Sequence, residues 1–149
     1  MSEVADNSTS GTADVASSGS WSTEATPTGA AVLRKALTFW LSTNFDLSRE
    51  RLSDIALAAN EALANVVEHA YGITEDLPLV ELDVMHDTDS GRIVVTVTDR
   101  GHWRIPAADP LHLRGRGLPL MKALASDVVF DKADSGTRVR LTWEIERAR

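Results

Sequence analysis

Beyond Pro78 the apolar residues of this chain leave a helical period for a strand period, and the position of that change limits what it can fold into. Val32, Leu33, Ala36, Leu37, Trp40 and Leu41 recur at three- and four-residue spacing, which predicts a helix from Ala30 to about Asn44. Leu52, Ile55, Ala59, Ala62, Leu63, Val66 and Val67 repeat the pattern. They predict a second helix, capped by Ser48, running to about Tyr71 and ending at Gly72. Beyond Pro78 the period becomes two. Val80, Leu82 and Val84 alternate with Glu81 and Asp83, Asp87 to Gly91 form a turn, and Ile93, Val95 and Val97 alternate with Val94, Thr96 and Thr98. That is a hairpin. Residues 100 to 116 follow neither period and read as a long loop, of the kind that serves as a lid or binding segment.

Leu118 to Ala125 is expected to be a short helix, Asp127 to Asp131 a strand, Ala133 to Gly136 a turn and Thr137 to Ile145 the last strand. In that strand Val139, Leu141, Trp143 and Ile145 would face the core. Near the start, Trp21 to Thr26 reads as an edge strand before Pro27. Residues 1 to 19, mostly Ser, Thr, Gly and Ala, read as a flexible tail, and residues 20 to 146 as one domain. Two helices, a hairpin, a loop with a helix and a second hairpin predict a two-layer α/β sandwich. Its sheet would be mixed but mostly antiparallel, with the helices packed on one face. Strict βαβ alternation is absent, which argues against a Rossmann sheet, and no GxxxxGK[ST] phosphate loop occurs.

Composition removes several function classes. The 149 residues carry a net charge of −7 without a Lys/Arg run, which disfavours direct binding to nucleic acid. No cysteine is present, so a disulfide scaffold, a thiolate zinc site and a cysteine nucleophile are excluded. No apolar run approaches the ~20 residues of a membrane span. The first residues do not follow the pattern of a secretory signal. A cytoplasmic protein that does not enter a membrane is the expectation.

Three segments can carry chemistry. In EALANVVEHAYG, Glu61, Asn65 and His69 lie four residues apart on the second helix. They climb one stripe because four residues advance a helix by about 400°. The stripe holds a carboxylate that can take a proton, an amide oxygen that can ligate a hard cation, and an imidazole. In TVTDRGHWRIP, Asp99 stands at a strand end with Gly101 two residues on. A carboxylate there can accept a hydrogen bond from an exocyclic amine, and the glycine lets a flat ring approach the main chain. In LRGRGLPLMKAL, Gly115 and Gly117 precede a helix. Their exposed N–H groups and the helix dipole suit phosphates, with Arg114 and Arg116 adding charge. Each segment also has an ordinary reading: a solvated helix face, a strand-ending turn, a glycine loop. Thr137, after Gly136, can bond a carboxylate or a buried water near Asp99, or be no more than a β-branched strand residue.

In their order and spacing these segments resemble the Bergerat-type ATP-binding fold shared by gyrase, histidine kinases and MutL. Within it, the chain looks like the anti-sigma factor serine/threonine protein kinases of the RsbW and SpoIIAB type, with wording close to actinobacterial members. The resemblance spans about residues 20 to 146. It implies Glu61 as the general base for a protein serine and Asn65 as the ligand of Mg²⁺. Asp99 would be the partner of the adenine amino group, with Gly101 beside the ring. Gly115 and Gly117 would cradle the phosphates of ATP, with Leu118 and Thr137 completing the nucleotide contacts. Arg114 or Arg116 would offset charge on the transferring group, the choice between them staying open, and His69 would play a supporting part. The implied function is sequestration of a sigma factor, together with phosphorylation of an anti-sigma factor antagonist of the STAS type on Ser or Thr. The implied assembly is a homodimer. Leu33, Leu37 and Trp40, with more apolar surface than one sheet needs, suggest the same. Two other readings compete. One is a non-catalytic binding module in which ATP only sets conformation. The other is a detached ATP-binding domain of a histidine kinase.

Overall fold

The computed structural model describes residues 17–70, 78–101 and 117–145, the His69 side chain excepted. Five strands form one sheet in the order β1-β2-β3-β5-β4, with β1 at Ser18–Glu24, β2 at Leu79–Asp87, β3 at Arg92–Asp99, β4 at Asp127–Ala133 and β5 at Gly136–Glu144. Among the described residues three α-helices accompany it: α1 at Pro27–Asn44, α2 at Arg49–Asn65 and α3 at Gly117–Leu124. The result is the expected α/β sandwich, with one refinement. All four described strand pairings are antiparallel. The parallel element survives as direction rather than as pairing. α3 lies between β3 and β4, which run the same way, and β5 returns to insert between them.

Local chemistry explains the boundaries. Pro27, expected to mark the end of a strand, instead opens α1, because its missing N–H would have had no partner in a first turn. Thr26 is the N-cap, its hydroxyl accepting from the Gly29 N–H at 2.9 Å. Ser48 caps α2 in the same way, accepting from the Arg51 N–H at 3.0 Å. Ser18 and Gly19, read from composition as the end of the tail, are the first residues of β1 and pair with Met85 and Val84. The Trp21 ring lies over Gly19, where a Cβ would come 2.6 Å from it.

The core lies between the layers. Val80, Leu82 and Val84 of β2, Ile93, Val95 and Val97 of β3, and Val139, Leu141 and Trp143 of β5 are buried beneath the helices' apolar faces. Ala58, Ala59 and Ala62 let α2 pack closely, over β3 and β5 and against both α1 and α3. Leu33 and Leu37 are completely buried in this core and have no surface left for a second chain, which corrects the sequence argument drawn from them. Trp40 is half-buried against Phe45, ring centroids 5.6 Å apart. The exposed apolar residues of α1 are Val32 and Phe39.

Candidate functional site

Among the described residues only three polar side chains are buried: Asn65 at 3 %, Asp99 at 2 % and Thr137 at 4 % exposure. All three are residues singled out from the sequence. Strand alternation explains two of them. Asp99 shares its parity with Ile93, Val95 and Val97, and Thr137 with Val139, Leu141 and Trp143, so both project into the helix-covered side of the sheet. They are also direct cross-strand partners. Asn65 closes the sheet-facing side of α2, following Ala62 and Leu63. Polar groups thus stand in a layer interface that is otherwise apolar.

Asn65 is the last residue of the regular α-helix. The next N–H, of Val66, bonds to both the Ala62 and Leu63 carbonyls, and Val66–Ala70 continue as a π-helical turn. Such turns are rare and gather at functional positions. Nδ2 of Asn65 is buried and has no hydrogen-bond partner among the described residues. Leaving an amide in that condition costs about 1–3 kcal/mol. Glu61, one turn earlier, is half-buried and makes no hydrogen bond or ion pair among the described residues. The preceding residue, Asn60, is tied to α1 by the Arg34 guanidinium, whose Nη1 donates to Oδ1 at 2.8 Å. That tether gave no sequence signal, because Arg34 and Asn60 each fit an ordinary helix face.

Asp99 ends β3. Its Oδ1 accepts the Gly101 N–H at 2.9 Å, which bends the chain sharply out of the strand and buries Gly101 beside it. Gly117 is the first residue of α3, and Leu118, in its first turn, packs partly buried against the core. Arg114, Gly115 and Arg116 lie outside the described residues, as does most of the loop expected over 100 to 116. The far end of α3 is fixed to the sheet, where the Trp143 Nε1–H donates to the Leu124 carbonyl at 2.8 Å. A concavity of about 730 Å³ touches Asp99, Gly136 and Thr137 but neither Glu61 nor Asn65. Its other walls are the outward side chains Glu81, Thr96, Thr98, Arg138 and Arg140, so it is the open face of the sheet and not the space between the layers.

Residues 23–143 match the family described as histidine kinase-like ATPase domain. The chain belongs to this family. It is 29 % identical over 115 residues to the anti-sigma F factor of Pasteuria penetrans, a match covering 70 % of this chain and 75 % of that protein. Its fold is similar to a crystal structure of the RsbU and RsbW domains of Rv1364c from Mycobacterium tuberculosis, with a TM-score of 0.71 and 25 % identity. That likeness takes in 89 % of this chain and 33 % of the other, so the chain spans about a third of the longer protein. In a histidine kinase-like ATPase domain the ligand to be accommodated is ATP, and the buried set reads accordingly. Asp99 and Thr137 carry side-chain oxygens able to hydrogen-bond, and Asn65 carries an amide with a hard oxygen and two N–H donors without a partner among the described residues.

Magnesium suits this donor set. Among the described residues no group of three or more His, Asp or Glu side chains could hold a metal by itself. Mg²⁺ does not need one, since it keeps several waters and takes one or two protein oxygens together with substrate phosphates. The Asn65 side chain carries an oxygen of that kind.

Proposed function

We propose that this histidine kinase-like ATPase domain is an anti-sigma factor that also acts as a protein serine/threonine kinase. It sequesters a sigma factor, and it transfers the γ-phosphoryl group of ATP to a Ser or Thr of a STAS-type antagonist. The observation carrying this reading is the coincidence of burial and chemistry: Asn65, Asp99 and Thr137 are the polar residues held between the layers, and Asn65 keeps an unpartnered amide. The name of the Pasteuria penetrans relative supports the choice of partner.

In this reading the Asp99 carboxylate accepts a hydrogen bond from the adenine amino group, its position set by the Gly101 N–H, while buried Gly101 leaves the ring room. Thr137 stands across the strand pair and supports the carboxylate. Asn65 gives its Oδ1 to Mg²⁺, which when bound offsets the charge of the phosphates. The Asn65 Nδ2 finds a phosphate oxygen. Gly117 and Leu118 offer backbone N–H groups at the start of α3, and the same reading assigns Gly115 to the phosphates and Arg114 or Arg116 to the charge of the transferring group. Glu61, half-buried and without an ion-pair partner among the described residues, takes the proton of the acceptor hydroxyl. As it does so, the acceptor oxygen bonds to the γ-phosphorus, the bond from that phosphorus to the bridging oxygen breaks, and ADP leaves. The working form is a cytoplasmic homodimer, with a catalytic unit that starts at β1, at Ser18.

Radiolabelled ATP, the protein and its antagonist decide the matter. Label on a Ser or Thr of the antagonist is expected. ATP bound with no label transferred leaves a sequestering module without kinase activity, and label on a histidine in trans identifies a detached histidine-kinase domain.

A further inference from the structure

Two glycines among the described residues have positive φ, and they serve different purposes. Gly91 has φ +73° in the β2–β3 turn, and a Cβ there would meet only the Ile145 carbonyl oxygen, at 3.2 Å. Its conformation belongs to the turn. Gly136 has φ +145° at the start of β5, and a Cβ there would collide with the Asp99 carbonyl oxygen and lie 2.7 Å from the Arg100 Cα and 2.9 Å from the Asp99 carbonyl carbon. Every one of these atoms is main chain, so none can swing aside. Gly136 is buried, and the following residue, Thr137, is the cross-strand partner of Asp99.

We infer that Gly136 is a positioning residue that sets purine selectivity: the missing side chain lets the β4–β5 hairpin end rest on the Asp99–Arg100 main chain and so fixes where the Asp99 carboxylate stands. The inference rests on Asp99 as the partner of the adenine amino group. The link from backbone to carboxylate is short. The Asp99 Oδ1 is already bonded to the Gly101 N–H at 2.9 Å, so its orientation is tied to the local chain path. A methyl group at 136 pushes that path away from β5. The carboxylate moves with it and loses its alignment with a 6-amino group.

The test compares affinity for ATP with that for purine riboside triphosphate, which lacks the 6-amino group, by titration calorimetry with Mg²⁺. The wild-type chain is expected to prefer ATP by about tenfold or more, the size of a hydrogen bond to a charged acceptor. In Gly136→Ala this ratio falls towards one. In Gly91→Ala, which also places a side chain at positive φ but away from Asp99, the melting temperature drops and the ratio stays. In the Asp99→Ala background, Gly136→Ala changes the ratio no further. A Gly136→Ala chain that folds and keeps the wild-type preference overturns the assignment. A wild-type chain with no preference overturns the reading of Asp99 beneath it, a distinguishable failure. If the L-alanine variant does not fold, D-alanine at 136 replaces it, introduced by ligation at Ala133 and desulfurisation, which a chain without cysteine permits. D-alanine tolerates positive φ and turns its methyl away from Asp99. Retention of the ratio is expected, and its loss in a folded D-alanine chain overturns the inference.

Discussion

The Asn65 amide nitrogen has no partner among the described residues, and the consequence can be measured. Asn65→Ala is expected to abolish Mg²⁺-dependent ATP binding in calorimetry while leaving the melting temperature unchanged or slightly raised, because the substitution removes a buried donor that costs about 1–3 kcal/mol. Earlier melting with normal Mg-ATP affinity would make the amide structural instead. Glu61 separates from it by the opposite pattern. Glu61→Gln is expected to bind ATP within about threefold of wild type and to lose roughly 10²–10⁴ in phosphoryl transfer, the range of a general base. Single-turnover transfer to the antagonist, set beside the ATP dissociation constant, separates the two roles.

The elements were legible in the sequence where one physical signal governed them. The period-two runs gave β2, β3 and β5 with their buried faces, because each strand has one apolar side. The caps were less consistent. Ser48 announced α2, whereas Pro27 looked like a strand stop although proline also starts helices. The π-helical turn after Asn65 could not be read, since the spacing of VVEHA is that of an ordinary helix. Asp99 and Thr137 were readable as residue types, but their cross-strand pairing appears only once β5 inserts beside β3. The steric demand on Gly136 depends on that same long-range contact. One turn tests the local chemistry. Asp87 accepts from the N–H groups of Asp89 and Ser90, at 3.0 and 3.4 Å, and its bonds to Ser90 hold its carboxyl below the usual value. Its folded pKa is depressed, so its contribution to stability is present above the ordinary carboxylate range of about 4 and is lost as pH falls through the lowered value. The stability gap between wild type and Asp87→Ala is therefore expected at pH 7 and should shrink below about pH 4 in urea melts.

For the whole molecule, the expectation concerns linkage. If Mg-ATP binds the folded chain and not the unfolded one, a hundredfold excess over the dissociation constant adds about 2.7 kcal/mol of stability. The melting temperature should rise with Mg-ATP and return on adding a chelator, and Asn65→Ala should abolish the rise. The sheet order bears on where such stabilisation registers. β3 is flanked by β2 and β5, so its main-chain amides are sealed on both sides beneath α2. Those amides should exchange with deuterium only when the domain opens as a whole, while the outer strands β1 and β4 exchange through local fraying. The carboxylate at the end of β3 is thus mounted on the slowest-opening part of the protein, and a purine resting against it would meet a surface whose shape hardly fluctuates.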